Sequence, residues 1–478
     1  MTARRKQAAA AYDVVIVGGG MVGSLAACAL GDSPLKVAVI EPRPTQEPRG
    51  AGYDLRVSAL TLATKTMFES VGAWPGIVER RFAPVRAMRV WQRPSPSLDS
   101  RRGAGDPSAP VRRHGHTLSA SMNAPPHLSH AGEGTLTPTP LPAGEGDFVR
   151  PEPSAQARDF FHSELEFSAA EIGEPCLAYI VENSVIVAAL RERLEQFTNV
   201  HIVDGAVTDF AFDQLAEIAL SDNRRMSARL VVGADGAESA VRKRMETPVR
   251  KFDMNQVGIV ATVRTERPHD DVARQVFLST GPLAFLPLPE PHTCSIVWSA
   301  DRARADALVA LDDGKFVAEL ASAFGGRLGV IETVSARAAF PLALAHADRY
   351  VGHRTALIGD AAHTVHPLAG QGANLGFLDA ATLAEVVLAA ASERRDIGAE
   401  HVLRRYERWR KGDNLAMIAV TGGFKLLFGN DWPMVAGLRG AGFSVTDRIA
   451  PVKNLIMRRA SGLIGDLPAI ARRAGGAA

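Results

Sequence analysis

The stretch from Ala356 to Ala380, ALIGDAAHTVHPLAGQGANLGFLDA, decides how the rest of the chain is read. Ala356-Leu357-Ile358 predicts a short buried strand, Gly359-Asp360 a turn out of it, and Gly372 to Ala390 a helix. An acid just past a strand end, followed by small residues, lets backbone approach a ligand closely. Gly370, Gln371 and Gly372 then line up successive amides at a helix start, where anionic groups are favoured. Gly-Asp by itself is equally a plain strand-to-helix turn, so the flanking string carries the signal.

Working outward, the N-terminal end holds a second strand-turn-helix. Tyr12 to Val17 is a β-rich run entering Gly18-Gly19-Gly20-Met21-Val22-Gly23, and an Ala-rich helical segment follows to Leu30. This is G-x-G-x-x-G in its required context: Gly18 for the tight turn, Gly20 for approach of a pyrophosphate, Gly23 for close helix-on-strand packing. Lys36 to Ile40 predicts the next strand, ending at Glu41, about 20 residues past the loop, where a carboxylate suits a ribose 2′-hydroxyl. A dinucleotide site follows, with NAD and FAD both open at this point.

Together these stretches resemble the FAD-dependent aromatic hydroxylases, and the flanking residues are most similar to the ubiquinone-biosynthesis hydroxylases of the 2-octaprenyl-6-methoxyphenol hydroxylase type. The resemblance spans nearly all of the chain outside one insertion. It implies FAD as the cofactor, with Asp360 bonded to the ribityl chain and Pro367, Gly370 and Gly372 against the isoalloxazine ring. Gly359, Gln371 and Asn374 belong to the same cofactor-binding string. Asp54 to Leu60 matches the family's D-x-R-x-x-A-L, whose arginine, here Arg56, lies near pyrophosphate and flavin. As chemistry, Arg56 offers a fixed positive fork, and its alternative is a surface salt bridge. Gly233 to Arg242 resembles the Asp-Gly motif tied to the FAD pyrophosphate and to NAD(P)H use, with Asp235 the stronger candidate than Arg242. Asp235-Gly236 alone is also a good turn. Phe285-Leu286-Pro287-Leu288-Pro289 matches a strand near the substrate, so Phe285 and Pro287 are pocket-lining candidates that serve equally well as core.

At 478 residues the chain is expected to form two or three domains, and 46% apolar with 22% charged residues is ordinary for a globular protein. A formal charge of +2 gives no sign of a nucleic-acid binder. The three cysteines, Cys28, Cys176 and Cys294, form no CxxC, so neither a disulfide framework nor a zinc site is expected, and a reducing cytoplasm fits. The apolar run after the basic N-terminus is short and broken by glycines, which predicts a first strand rather than a membrane anchor.

The expected fold is α/β: a discontinuous Rossmann-like FAD-binding domain (12–80, 181–248 and 345–400), an antiparallel-sheet substrate domain (81–92, 160–180 and 249–344), and a helical C-terminal region (401–478). Strands are expected at Val257 to Val263, Gln275 to Leu278, Leu283 to Pro287, Ser295 to Ser299 and Ser335 to Phe340, with helical text from Arg304 to Phe324. Between Arg93 and Arg158 the composition turns to Pro, Gly, Ser, Ala and His without a period. That predicts a disordered insertion in a hairpin (93–159, with Ser95 to Ala157 dispensable), and its histidines read as solvated loop residues. In the C-terminal region Val402 to Trp409 and Asn414 to Phe428 are helical, with a break expected at Gly422-Gly423. The tail from Arg448 carries Lys453, Arg458, Arg459, Arg472 and Arg473 around Leu455 and Ile456, which suits either an anionic membrane surface or a cap on the protein itself.

The resemblance implies a monooxygenase: FAD is reduced by NAD(P)H, O2 adds at the flavin C4a position, and a polyprenylated phenol of ubiquinone synthesis is hydroxylated on its ring. No residue reads as a secure general base or metal ligand; His363 and His366 are lining candidates only. No second G-x-G-x-x-G follows, in keeping with transient nicotinamide binding. The alternatives are a hydroxylase of a soluble aromatic substrate, or a weakly catalytic flavin scaffold within a ubiquinone-biosynthesis complex. A halogenase is disfavoured because none of the five tryptophans forms W-x-W. Oligomeric state is open, and a cytoplasmic location is the expectation, with a place at the inner membrane surface as its alternative.

Overall fold

In the computed structural model the described residues are 12–42, 52–92, 164–365, 372–428 and 450–473. They fall in one compact unit, Met1–Pro94 with Phe160–Ala478; the other, Ser95–Asp159, lies outside the described residues, so the insertion expected there does too.

Five parallel strands organise the cofactor half. Tyr12–Val17 lies between Val37–Glu41 and Arg225–Gly233, with Val200–Asp204 and Thr355–Leu357 outside them. Val14 to Val17, Val37 to Ile40 and Leu230 to Val232 are buried throughout, which is why they read as continuous apolar runs rather than alternating ones. Helix Met21–Ala29 packs against both Asn183–Glu195 and Gly372–Ser392. The last is long and apolar enough by composition to cross a membrane, yet two thirds of it is buried in the protein, as in a core helix. Because the strands run parallel, the residues that follow them emerge along one edge: Gly18, Glu41, Ala234-Asp235 and Gly359-Asp360. Such an edge is where open α/β sheets bind ligands.

The second sheet has nine strands, ordered His363–Thr364, Ala338–Ala347, Val249–Thr265, Thr293–Asp301, Gly281–Pro287, Val272–Leu278, Ala87–Gln92, Glu164–Ser168, with Ile331–Val334 also on Val249–Thr265. It is antiparallel except where Val272–Leu278 runs parallel to Ala87–Gln92. The strand expected from Val257 begins at Val249, because a shift in register between Asp253 and Gln256, with Asn255 at φ 47°, bends it and carries polar residues outward. One face is covered by helices Arg302–Ala310 and Asp313–Phe324, where Phe316, Leu320 and Phe324 pack on Trp91, Phe285 and Trp298. The other faces a small sheet of Val57–Thr61, Ala178–Glu182 and Ala83–Val85 across a layer of short side chains, among them Ala59, Ala83, Ala273 and Ala284.

Helix Glu400–Phe428 runs through Gly422-Gly423 without the expected break; two glycines lower helix propensity without forbidding helix geometry. Helix Ala450–Ala460 docks through Lys453 and Met457, and Lys453 pairs with Glu171 at 3.0 Å.

Candidate active site

At the glycine loop the three glycines have different tasks. A Cβ on Gly23 would lie 1.9 Å from the Gly18 carbonyl oxygen, and one on Gly18, at φ +105°, 2.4 Å from that of Ala234. These two permit helix and strand ends to close on one another. A Cβ on Gly20 would meet nothing within 4 Å, so the chain there borders open space. The Gly19 amide donates to Glu41 Oε2 at 2.7 Å, closing the loop onto the acid that ends the second strand.

Asp235 accepts from the amides of Ala240 (2.6 Å) and Val241 (3.3 Å) through Oδ2, while its Oδ1 is buried with no partner among the described residues. An orphaned carboxylate oxygen beside an open trough has room for a donor from a ligand. Arg242 is buried and donates to the carbonyls of Ala361, at 2.8 Å, and Ala237. It ties the Asp235-Gly236 turn to the Gly359-Asp360 turn and does not line the site.

Gly359, at φ +59°, turns the chain so that a single helical turn, Gly359–Ala361, aims Asp360 into the main cavity. The Asp360 residue is exposed to that cavity while protein surrounds it on the other sides. Burial pushes its carboxyl up, against the lowering influence of His363 and Arg56. Arg56 also lines the cavity, its guanidinium 5.3 Å from the Phe340 ring centroid, and makes no ion pair among the described residues. Asn183 is held there by a 2.7 Å bond from Ser58 Oγ to its Oδ1. Thr364 lines the same space, and its hydroxyl is buried without a partner among the described residues.

Two cavities, of about 520 Å³ and about 360 Å³, meet at Gly20 and Ala234. The smaller is walled by Gly18, Glu41, Gly205 and Asp235; the larger by Arg56, Asp360, Gly372 and, from the second sheet, Gly258, Val260, Leu286 and Val297. An extended dinucleotide fits this pair: polar loops and the orphaned Asp235 Oδ1 in one arm, a wide cleft with an apolar wall in the other. FAD bound there supplies the redox and oxygen chemistry. The chain would hold it through the backbone at Gly20, the carboxylates of Glu41 and Asp235, and Asp360.

Four expected site residues, Phe285, Pro287, Asn374 and His363, stand elsewhere. Phe285 is 1% exposed and stacks on Phe324 at 3.8 Å between centroids, on the helix-covered face. Pro287 shares its parity, so Leu286 lines the cavity instead: side chains alternate along a strand, and a one-residue step changes faces. Asn374 is consumed by protein, accepting from the Thr61 amide (3.1 Å) and Thr64 hydroxyl (2.7 Å) and donating to the Ala59 carbonyl (2.7 Å). It pins the cofactor helix to the strand behind Arg56. His366, Pro367, Gly370 and Gln371 lie outside the described residues.

His363 is 2% exposed and points away from the cavity, its Nε2 2.5 Å from Asp379 Oδ2. Asp379 is fully buried; it also accepts from the Gly359 amide (3.1 Å), Arg410 Nε (3.0 Å) and Asn414 Nδ2 (3.1 Å). Burial alone would raise its carboxyl, but His363, Arg410 and Asn414 hold it below the usual carboxylate range. This cluster, directly behind the Gly359-Asp360 turn, was missed in the sequence. Its available signal was Asp379 as the one charged residue between Gly372 and Ala384 of an apolar helix.

The FAD binding domain family matches residues 183–418. The chain is 34% identical to "Ubiquinone hydroxylase UbiL" of Rhodospirillum rubrum over 95% of this chain and 90% of that protein. It is 31% identical to the mitochondrial ubiquinone biosynthesis monooxygenase COQ6 of Xenopus tropicalis (95% and 94%) and 30% identical to the 3-demethoxyubiquinol 3-hydroxylase of Escherichia coli (94% and 98%). Among solved structures, PqsL of Pseudomonas aeruginosa, a probable FAD-dependent monooxygenase, aligns with a TM-score of 0.64 at 20% identity over 91% of this chain and all of that one. The p-nitrophenol 4-monooxygenase PnpA of Pseudomonas putida aligns at 0.65 and 18%, over 95% and 98%. These two show the same fold.

Proposed function

Because the chain belongs to the FAD-dependent monooxygenases of ubiquinone biosynthesis, we propose that it hydroxylates the ring of a polyprenylated phenol, with O2 and NAD(P)H as co-substrates. The observation that carries the proposal is the larger cavity, where Asp360 and Arg56 on the cofactor side face Leu286, Val260 and Val297 of the second sheet. The polar side orients the cofactor, and the apolar side receives a greasy ring and keeps water from it. Arg56 supplies positive charge where negative charge develops on a reduced cofactor. No side chain in the cavity is assigned as general base.

We further propose that the enzyme works at the inner membrane surface on its cytoplasmic side. Support comes from helix Ala450–Ala460, which turns Val452, Leu455 and Ile456 to solvent, 43%, 58% and 45% exposed, beside Arg459. Partition onto vesicles containing anionic lipid, reduced by Leu455→Asp, checks this.

The test of substrate class is mass spectrometry of prenylated lipids in a strain lacking the gene. Accumulation of one under-hydroxylated ubiquinone precursor supports the proposal and names the ring position. Unchanged ubiquinone, in a strain without a second hydroxylase, moves the substrate elsewhere.

A further inference from the structure

Beyond Leu286 the space does not end. A second, apolar pocket of about 150 Å³ lies between the large sheet and the small three-stranded one, walled by Ala59, Met88, Ala178, Ala273, Leu286 and Met457. Leu286 belongs to this wall and to that of the ring cavity. Strand register explains the continuity. Arg274 pairs with Phe285, so Ala273 stands opposite Leu286; Ala273 then pairs with Met88, and Met88 with Phe167. One apolar row therefore crosses the sheet face from the ring cavity to the sheet edge. Its far end is roofed by helix Ala450–Ala460, where Ile456 both lines the pocket and is 45% exposed. Protein interiors are close-packed, and an apolar void kept open by alanines costs stability unless a ligand fills it.

We infer that this pocket is the subsite for the ring-proximal isoprene units of the substrate, with Leu286 dividing ring from tail and the remaining tail leaving past Ile456. The inference rests on the substrate class proposed above. It deepens that proposal by assigning tail recognition to Ala273, Met88 and the C-terminal helix, in a direction away from the cofactor arm. The pocket is too small for a long polyprenyl chain, so the exposed apolar face of the helix is where the rest of the chain emerges.

The test uses full-length, FAD-loaded protein and phenols of one ring type carrying zero, one, two or three isoprene units. Dissociation constants are read from perturbation of the flavin absorbance and kcat/KM from product formation. In the unmodified protein the first one or two units should each tighten binding by about tenfold or more, as apolar area leaves water, and later units should add little. Ala273→Leu, which fills the pocket, and Ile456→Asp, which charges its mouth on the surface, should each collapse the ratio of prenylated to unprenylated kcat/KM toward one. Retained flavin content certifies that either variant has folded, and Ile456→Asp serves if Ala273→Leu does not. If prenylated phenols are hydroxylated and both variants keep the full chain-length gain, the tail lies elsewhere and this inference alone is overturned. If no prenylated phenol binds, the substrate class falls and the inference with it.

Discussion

Asp360 lines the cavity and makes no hydrogen bond or ion pair among the described residues, so its removal takes away a ligand contact while leaving the protein's own hydrogen bonds intact. Asp360→Ala is expected to weaken FAD binding by about 10–100-fold, the worth of charge-assisted hydrogen bonds. Flavin titration of the apoprotein measures it, and undiminished affinity would count against the assignment. Gly23 acts in the opposite way. Its Cβ would fall 1.9 Å from backbone oxygen that cannot swing aside, so Gly23→Ala should destabilise by roughly 1–3 kcal/mol and lower flavin content together. Urea denaturation with absorbance at the flavin band reads both. Glycine and acid positions were legible because their signal is a turn at a strand end, which the neighbouring residues announce. Asn374 and His363 carried the same kind of signal, yet their hydrogen bonds run to Thr61, Thr64 and Ala59 and to Asp379, partners that the local string does not name.

Among elements, helices Gly372–Ser392 and Glu400–Phe428 are joined by the buried cluster behind the Gly359-Asp360 turn. Arg410→Met would leave Asp379 buried with fewer compensating partners, at a cost of roughly 3–5 kcal/mol in urea denaturation, and flavin affinity should fall because Gly359 hangs on the same carboxylate. The variants Asp379→Asn and Arg410→Met should be non-additive, since both act on one network. The neighbouring His346, bonded to the Tyr350 hydroxyl at 3.1 Å, is lowered from 6.5 to about 4, first by burial and then by Lys411 and His363. The unfolded chain therefore takes up this proton before the folded one as pH falls. Stability is complete above pH 6.5 and declines toward pH 4, by at most ~3 kcal/mol from this group. Thermal unfolding of His346→Gln against the unmodified protein isolates it: the variant should lose that part of the slope. Element type and order were largely legible from periodicity, whereas the parity of Gly281–Pro287 was not, because both faces of that strand are apolar and covered.

For the whole molecule, Trp91 pairs directly with Glu164, so the chain leaves and re-enters the second sheet at one point around residues 93–163. Replacing Ser95 to Ala157 by a short turn is therefore expected to keep flavin content and melting temperature near those of the full chain, since closing a short loop costs little entropy. A collapse of either would give the insertion a structural role. The sequence by itself determined the two glycine-acid edges, the alternation of strand and helix that builds a parallel sheet, and through them a dinucleotide site, which the family resemblance narrowed to FAD. Each is a pattern among residues close along the chain, where turn chemistry and periodicity act. Only the tertiary structure decided that Leu286 rather than Phe285 faces the cavity, that His363 and Asn374 spend their hydrogen bonds inside the protein, and that Asp379 meets Arg410. A side chain's direction is set by sheet register and by which distant groups satisfy it, and those partners come together only when the chain has folded.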